Sequence, residues 1–305
     1  MGRISFFCMV GILLFAEPIK PIPEHMEVNN AKAALGKKLF FDTSLSKNNT
    51  ISCASCHNLA DGGDDGLKYS FGMDGTEGDI NAPTVYNAVF NFRQFWDGRA
   101  KDLEEQATFP VGNPKEMSFT MDALVDRLKK NADYVHLFSK VYPDGITKKN
   151  IPNAIAEYEK TLITPNAPFD KFLKGDKNAI SQEAKEGYRL FKAKGCVICH
   201  NGINIGGNLY NRFGVYDDAN STNLGRYNIT QREEDKFIFK VPSLRNVALT
   251  APYMHDGRFD NLTDAVKFMS YYQLGRFIEE KEIKAIVAFL NTLNGEIPQS
   301  AKRNP

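Results

Sequence analysis

Helical periodicity dominates the chain. Ile151, Ile155, Tyr158 and Leu162 recur on one helical face, and Thr147 stands where a capping residue belongs. Between Glu279 and Leu293 a second stripe is formed by Ile283, Ile286, Val287, Leu290 and Leu293, with acids early and Gly295 as a stop. Ser181 is placed to cap a helix running toward Cys196. Ser118 or Thr120 can open one through Leu124 and Leu128, and Leu262 to Tyr272 reads as another. No alternating run is long enough for a major sheet. Thr164-Pro165-Asn166-Ala167-Pro168 interrupts the pattern midway and marks a linker. The expected class is all-α, with two helical domains at residues 17–163 and 164–305, long loops and little strand.

Residues 1–16 differ from the rest. Arg3 precedes an apolar run from Ile4 to Phe15, and the small Ala16 stands before Glu17-Pro18. The run is too short to span a bilayer as a helix and fits a secretory signal peptide, with an uncleaved anchor as the rival reading. An exported mature chain is expected. The 305 residues are 42 % apolar and 25 % charged, which excludes a disordered or collagen-like chain. Thirty-eight basic against 37 acidic residues leave a formal charge of +1, without the excess that nucleic-acid binding needs. Five cysteines are too few for a disulfide scaffold, and Cys8 lies in the leader.

The other four cysteines lie in Cys53-Ala54-Ser55-Cys56-His57 and Cys196-Val197-Ile198-Cys199-His200. C-x-x-C-H is the attachment motif of haem c. Two thiols three positions apart reach the two vinyl groups of one porphyrin, and the adjacent His becomes the proximal iron ligand. A thioredoxin-like dithiol does not require that His, and a structural zinc would use both pairs. Two complete motifs in one exported chain point to two covalently bound haem c groups. The repetition goes further. Pro83 to Asn87 matches Pro242 to Asn246, Trp96-Asp97-Gly98-Arg99 matches His255-Asp256-Gly257-Arg258, and Leu103 matches Leu262, all at an offset of 159. Gly36 to Phe40 resembles Gly187 to Phe191 upstream of the two motifs. Each half reads as helix, haem motif, glycine-rich loop (Asp61 to Gly66, Gly202 to Gly207), then a Pro-to-Asp-Gly-Arg segment.

The second axial position decides what each iron does: a thioether gives an electron carrier, an open face admits a reactant. In the second half Met254 and Met269 are candidates. Met269, in the Leu262–Tyr272 helix, is the better placed, with core packing as the bland alternative. The first half offers Met73, in the glycine-flanked Phe71-Gly72-Met73-Asp74-Gly75, and Met117, neither in an evident ligand helix. An open or loosely capped first iron beside a filled second one is the expectation.

Taken together these strings resemble the bacterial di-haem cytochrome c peroxidase family, which includes the di-haem maturation enzymes of methylamine dehydrogenase. The likeness runs from the Gly36 helix to about Pro298. Besides the haem motifs it rests on Asn81-Ala82-Pro83-Thr84, Gln94 to Ala100, Glu105-Gln106-Ala107 and Leu244 to Gly257. It implies two cytochrome c-like domains. The N-terminal haem, with His57, would reduce hydrogen peroxide; the C-terminal haem, with His200 and Met269, would take electrons from a small c-type cytochrome. It further implies Trp96 between the haems, Glu116 as distal acid–base carboxylate and Gln106 as distal amide. Asn81, Thr250 and Pro252 would hold a calcium ion, the last two through carbonyls. A periplasmic homodimer is expected on the same ground. Outside the family, Trp96 would read as core, and Glu116 and Gln106 as solvated surface.

Two departures carry weight. Many family members cap the resting peroxidatic haem with a His, but the matching position here is Met73. His25 and His136 lie too far away in sequence and read as surface residues, so His-capped inhibition is not expected. The maturation enzymes carry a tyrosine where Met269 stands, and Tyr271 and Tyr272 are close in register. A non-catalytic di-haem carrier and a maturation oxidase are the alternative functions.

Overall fold

The computed structural model describes residues 17–302, so the expected leader lies outside the described residues. The first half carries α1 (Asn30–Phe40), α2 (Cys53–Cys56), α3 (Leu103–Gln106), α4 (Phe109–Gly112), α5 (Met121–Lys129), α6 (Ala132–Val141) and α7 (Asn150–Glu159). The second carries α8 (Pro168–Leu173), α9 (Gln182–Lys194), α10 (Tyr227–Thr230), α11 (Leu262–Phe268) and α12 (Glu280–Leu290). Among the described residues, strand is confined to an antiparallel ribbon of β1 (Tyr210–Arg212) and β2 (Ile238–Lys240). The class is all-α.

Side chains next to the helix ends set where helices begin. Ser181 Oγ accepts from the Ala184 amide at 3.1 Å and opens α9, which Gly195 closes in the left-handed region. Thr120 caps α5, and Glu279 with Glu282 forms a capping box at α12. Thr147 Oγ accepts from the Asn150 amide at the start of α7. The expected Leu262–Tyr272 helix is α-helical only to Phe268; from Met269 to Gln273 it widens into a π turn.

One helix crossing organises each half. Gly36 of α1 lies on the Ala154 carbonyl of α7, and Gly187 of α9 on the Ala285 carbonyl of α12; an added Cβ would stand 1.8 Å from the oxygen in both. Any side chain there would push the helices apart, which explains why the strings beginning at Gly36 and Gly187 resemble each other. Leu39, Phe40, Leu124, Phe138, Ile155 and Tyr158 build the core around the first crossing. Phe169, Leu190, Phe191, Ile286, Phe289 and Leu293 build the core around the second. The chain ends cross over: Ile19 is buried in the second core and Ala301 in the first, where Tyr158 Oη donates to the Ser300 carbonyl.

The linker at 164–168 is buried rather than exposed. Thr164 and Ala167 are buried, and Pro168 already begins α8. The reason is a hydrogen-bonded seam built on the repeat. Asn87 and Asn246, both at φ +60°, donate their amides to the Leu162 and Leu293 carbonyls at 2.9 and 3.1 Å. Their Oδ1 atoms accept from the Thr164 and Gly295 amides, both at 2.9 Å, and both Nδ2 groups donate to Thr164 Oγ. Each Asn thereby ties the Pro-led segment of its half to the chain leaving the last helix.

Candidate functional site

Both haem motifs hold their histidine in the same way. His57 Nδ1 lies 3.1 Å from the Gly63 carbonyl and His200 Nδ1 3.3 Å from the Ile205 carbonyl. Burial lowers both imidazole pKa values, His200 to about 4, so each ring is neutral with its proton on Nδ1 and its Nε2 lone pair free. Burial also pushes the Cys53 thiol far up, and Cys56 and Cys196 to about 11, so these three are neutral thiols. Two free cysteines, one fixed imidazole lone pair and apolar surroundings fit haem c in each half.

In the second half a deep apolar cavity opens onto Cys196, Cys199 and His200. Met269 and Met254 both line it, whereas Tyr271 and Tyr272 do not. Tyr271 is half exposed and donates to Asp217, and Tyr272 stacks on Phe268. The π turn sets this register, because widening the helix at Met269 keeps Met269 and Ser270 on the cavity while turning the tyrosines away.

Trp96, Asn81, Thr250 and Pro252 form the wall of that cavity nearest the first half. Trp96 Nε1 donates to the Asn81 carbonyl at 2.9 Å. The repeat becomes a two-fold exchange here: the Asn81 amide donates to the His255 carbonyl, and the Lys240 amide to the Trp96 carbonyl, at 2.8 and 2.7 Å. Trp96 and His255, equivalent in the repeat, face each other edge-on with centroids 6.2 Å apart. Asn81 Oδ1 and the carbonyls of Thr250 and Pro252 accept no hydrogen bond among the described residues.

Three residues beyond Trp96 the chain reaches the other site. Arg99 lies over the Phe95 ring at 3.6 Å, pairs with Asp97, and acts electrostatically on Glu116. Glu116 is half-buried; burial raises its carboxyl pKa, while the 2.6 Å hydrogen bond from Asn113 Nδ2 to Oε1 and the Arg99 charge oppose the rise. Its charge is felt at both Cys53 and Cys56. Gln106, at the end of α3, is half-buried, and its side-chain amide makes no hydrogen bond among the described residues. Met73 is pinned rather than loose: its amide donates to the Glu116 carbonyl at 2.8 Å, and Gly72 passes so close to the Lys115 carbonyl that a Cβ would stand 2.0 Å away. Met117 is core, 2 % exposed, and His25 and His136 are on the surface.

The model of the di-haem cytochrome c peroxidase family matches residues 30–178, and that of cytochrome c matches residues 184–294. The cytochrome c551 peroxidase of Nitrosomonas europaea is 48 % identical over 96 % of this chain and 89 % of its own. The chain belongs to the di-haem cytochrome c peroxidase family. The cytochrome c peroxidase Ccp of Escherichia coli is 49 % identical over 92 % of the chain, which spans 61 % of that longer protein. Among solved structures, a MauG-like protein associated with microbial copper homeostasis superposes with a TM-score of 0.79 at 25 % identity, covering 94 % of this chain and 95 % of that one. Membership brings covalently bound haem c to the chain.

Several buried polar residues escape a reading by motif. His255 is 2 % exposed and lies on the cavity, stacked on Phe239 at 4.3 Å, so the second site does have a nearby histidine that motif spacing overlooks. Burial lowers its pKa, and Ser221 Oγ lies 2.9 Å from its Nε2. Its equivalence to Trp96 was the available signal. Lys240 is buried on the same cavity, with its pKa lowered to about 8 by burial. Arg245 with Asp170 in the second half, and Glu159 in the first, are further examples.

Proposed function

We propose that this protein reduces hydrogen peroxide to water in the periplasm. Each peroxide takes two electrons from a small c-type cytochrome, through the C-terminal haem to the N-terminal one, and two protons from solvent. One observation carries the reading. The first half carries a half-buried carboxyl, Glu116, whose charge acts on both cysteines of its haem motif, whereas the second half presents Met269 on the cavity that contains His200. One site is equipped for proton transfer and the other for holding a sixth ligand.

Bound haem supplies the iron and the electron exchange. Glu116 accepts a proton from peroxide and returns it to the departing oxygen, which leaves as water. Asn113 occupies Oε1 and leaves Oε2 to act. The unpartnered Gln106 amide orients the substrate. Trp96, held by Asn81, puts an aromatic ring on the path between the halves. With Met73 in place of His and its backbone tied to the Glu116 loop, the oxidised protein is ready for peroxide without a prior reduction. Calcium, a hard cation, suits Asn81 Oδ1 and the free Thr250 and Pro252 carbonyls and would fix the seam between the halves.

Steady-state peroxide consumption with a reduced small cytochrome c tests the proposal, and electron acceptance without turnover would leave only a carrier. Met269→Ala is expected to lose the methionine-type ligand band of the C-terminal haem while His57-side spectra are kept. An unchanged spectrum would move the ligand elsewhere and favour a maturation oxidase.

A further inference from the structure

The repeat places one residue of each half in the same spot beside its haem motif. Ala154 and Ala285 receive the crossing glycines, and the Cβ atoms of Tyr158 and Phe289 flank them at 2.9 and 3.0 Å. Leu162 and Leu293 each accept from a seam Asn. These pairs share an offset of 131, which makes Glu159 the counterpart of Leu290. Leu290 is buried and lines the cavity of Cys196, His200 and Met269. The first half therefore buries a carboxyl where the second buries a hydrocarbon.

A buried carboxyl without partners is costly, and a leucine would pack in its place without that cost. Glu159 is 5 % exposed and its Oε2 accepts no hydrogen bond. After burial, the Glu159 charge is what raises the Cys53 thiol most, so the carboxyl acts electrostatically on the haem-binding cysteine. The neighbouring charges are engaged elsewhere. Lys160 pairs with Glu157; Lys32 of α1 bonds Asn153, Lys37 the Lys302 carbonyl, and Lys38 lies over Tyr134. On α3, Glu104 takes the Asn153 amide and Glu105 the Lys101 amide. Tyr158 and Tyr86 are buried phenols with raised pKa values. Burial alone pushes the Glu159 carboxyl up to about 8.

We propose that Glu159 is the proton acceptor coupled to the N-terminal haem, binding one solvent proton for each electron that haem accepts and releasing it when the electron leaves. The balance is one electron from an external one-electron donor and one proton from water, with no other bond made or broken. The positive charge of an oxidised ring favours the carboxylate across low-dielectric surroundings; once that charge is cancelled, a bare buried anion takes up a proton. Leu290 gives the C-terminal haem no carboxyl at this position; its cavity carries Lys240 and His255 instead. The inference rests on a haem at Cys53 and Cys56 and not on peroxide turnover.

Spectroelectrochemical titration of the full di-haem protein, without peroxide, from about pH 6 to about pH 9 tests it around the displaced carboxyl. At fixed potential the reduced-to-oxidised ratio of the N-terminal haem is expected to fall toward tenfold per pH unit, about 59 mV for one electron. The C-terminal haem, whose cavity holds Lys240 and His255, should keep the same pH response in parent and variants. Glu159→Gln, or Glu159→Leu, which copies the second half at this position, should flatten the first haem alone. The reduced-minus-oxidised infrared difference spectrum of the parent should gain a protonated-carboxyl band that Glu159→Gln lacks. A flat parent potential, a missing parent band or an unchanged slope in either variant overturns the proposal. If neither variant takes up haem, the parent slope and band decide. An intact slope without peroxide turnover would sink the peroxidase reading and leave this one standing.

Discussion

Glu116→Gln is expected to slow peroxide reduction by about two to four orders of magnitude, the usual worth of a positioned acid–base group, with both haems still attached. Gln keeps the shape of the side chain and a polar contact to Asn113 but cannot take up a proton. Because burial raises the Glu116 pKa, the carboxylate is lost as pH falls through a value above the ordinary 4.5. The acid limb of the kcat/KM profile should therefore lie above that value in the parent and disappear in the variant. Turnover within about threefold of the parent would remove Glu116 from the proton path, since a factor of that size is well below general acid–base catalysis.

Asp170→Ala is expected to destabilise the second half by about 3–5 kcal/mol, the cost of leaving one partner of a buried pair uncompensated. Asp170 of α8 and Arg245 are both fully buried at the side chain and meet at 2.7 Å. Burial raises the Asp170 pKa against the pull of Arg245 and lowers that of Arg245 against the pull of Asp170, so each ion depends on the other. Arg245 also donates to the Ile203 carbonyl after the haem motif and to the Lys20 carbonyl of the N-terminal segment. Denaturant unfolding with both haems in place measures the loss. A change of less than about 1 kcal/mol, within the range of exposed pairs, would contradict it.

What could be read from the chain beforehand was whatever short strings carry. The haem motifs, the paired Gly36 and Gly187 strings and the repeated Pro-to-Arg segments each need only a few adjacent residues. The crossing helices and the Asn87 and Asn246 seam follow from them. Features joining distant positions were invisible. Asp170 and Arg245 lie 75 residues apart, and nothing local distinguishes either from a surface ion. Glu159 follows the apolar face of α7, yet a helix-end acid ordinarily faces solvent; only tertiary packing, which the sequence does not print, buries it. The burial of the 164–168 linker was illegible for the same reason, since Pro and Asn there indicate a break in the helix but not what covers it.

The account depends on the two irons being different, and the electron paramagnetic resonance spectrum of the oxidised protein, recorded with and without added cyanide, tests that directly. One His/Met low-spin signal that ignores cyanide, with a second iron that binds it, is the predicted result. Two low-spin irons that both refuse the ligand, before and after one electron is added, would contradict it.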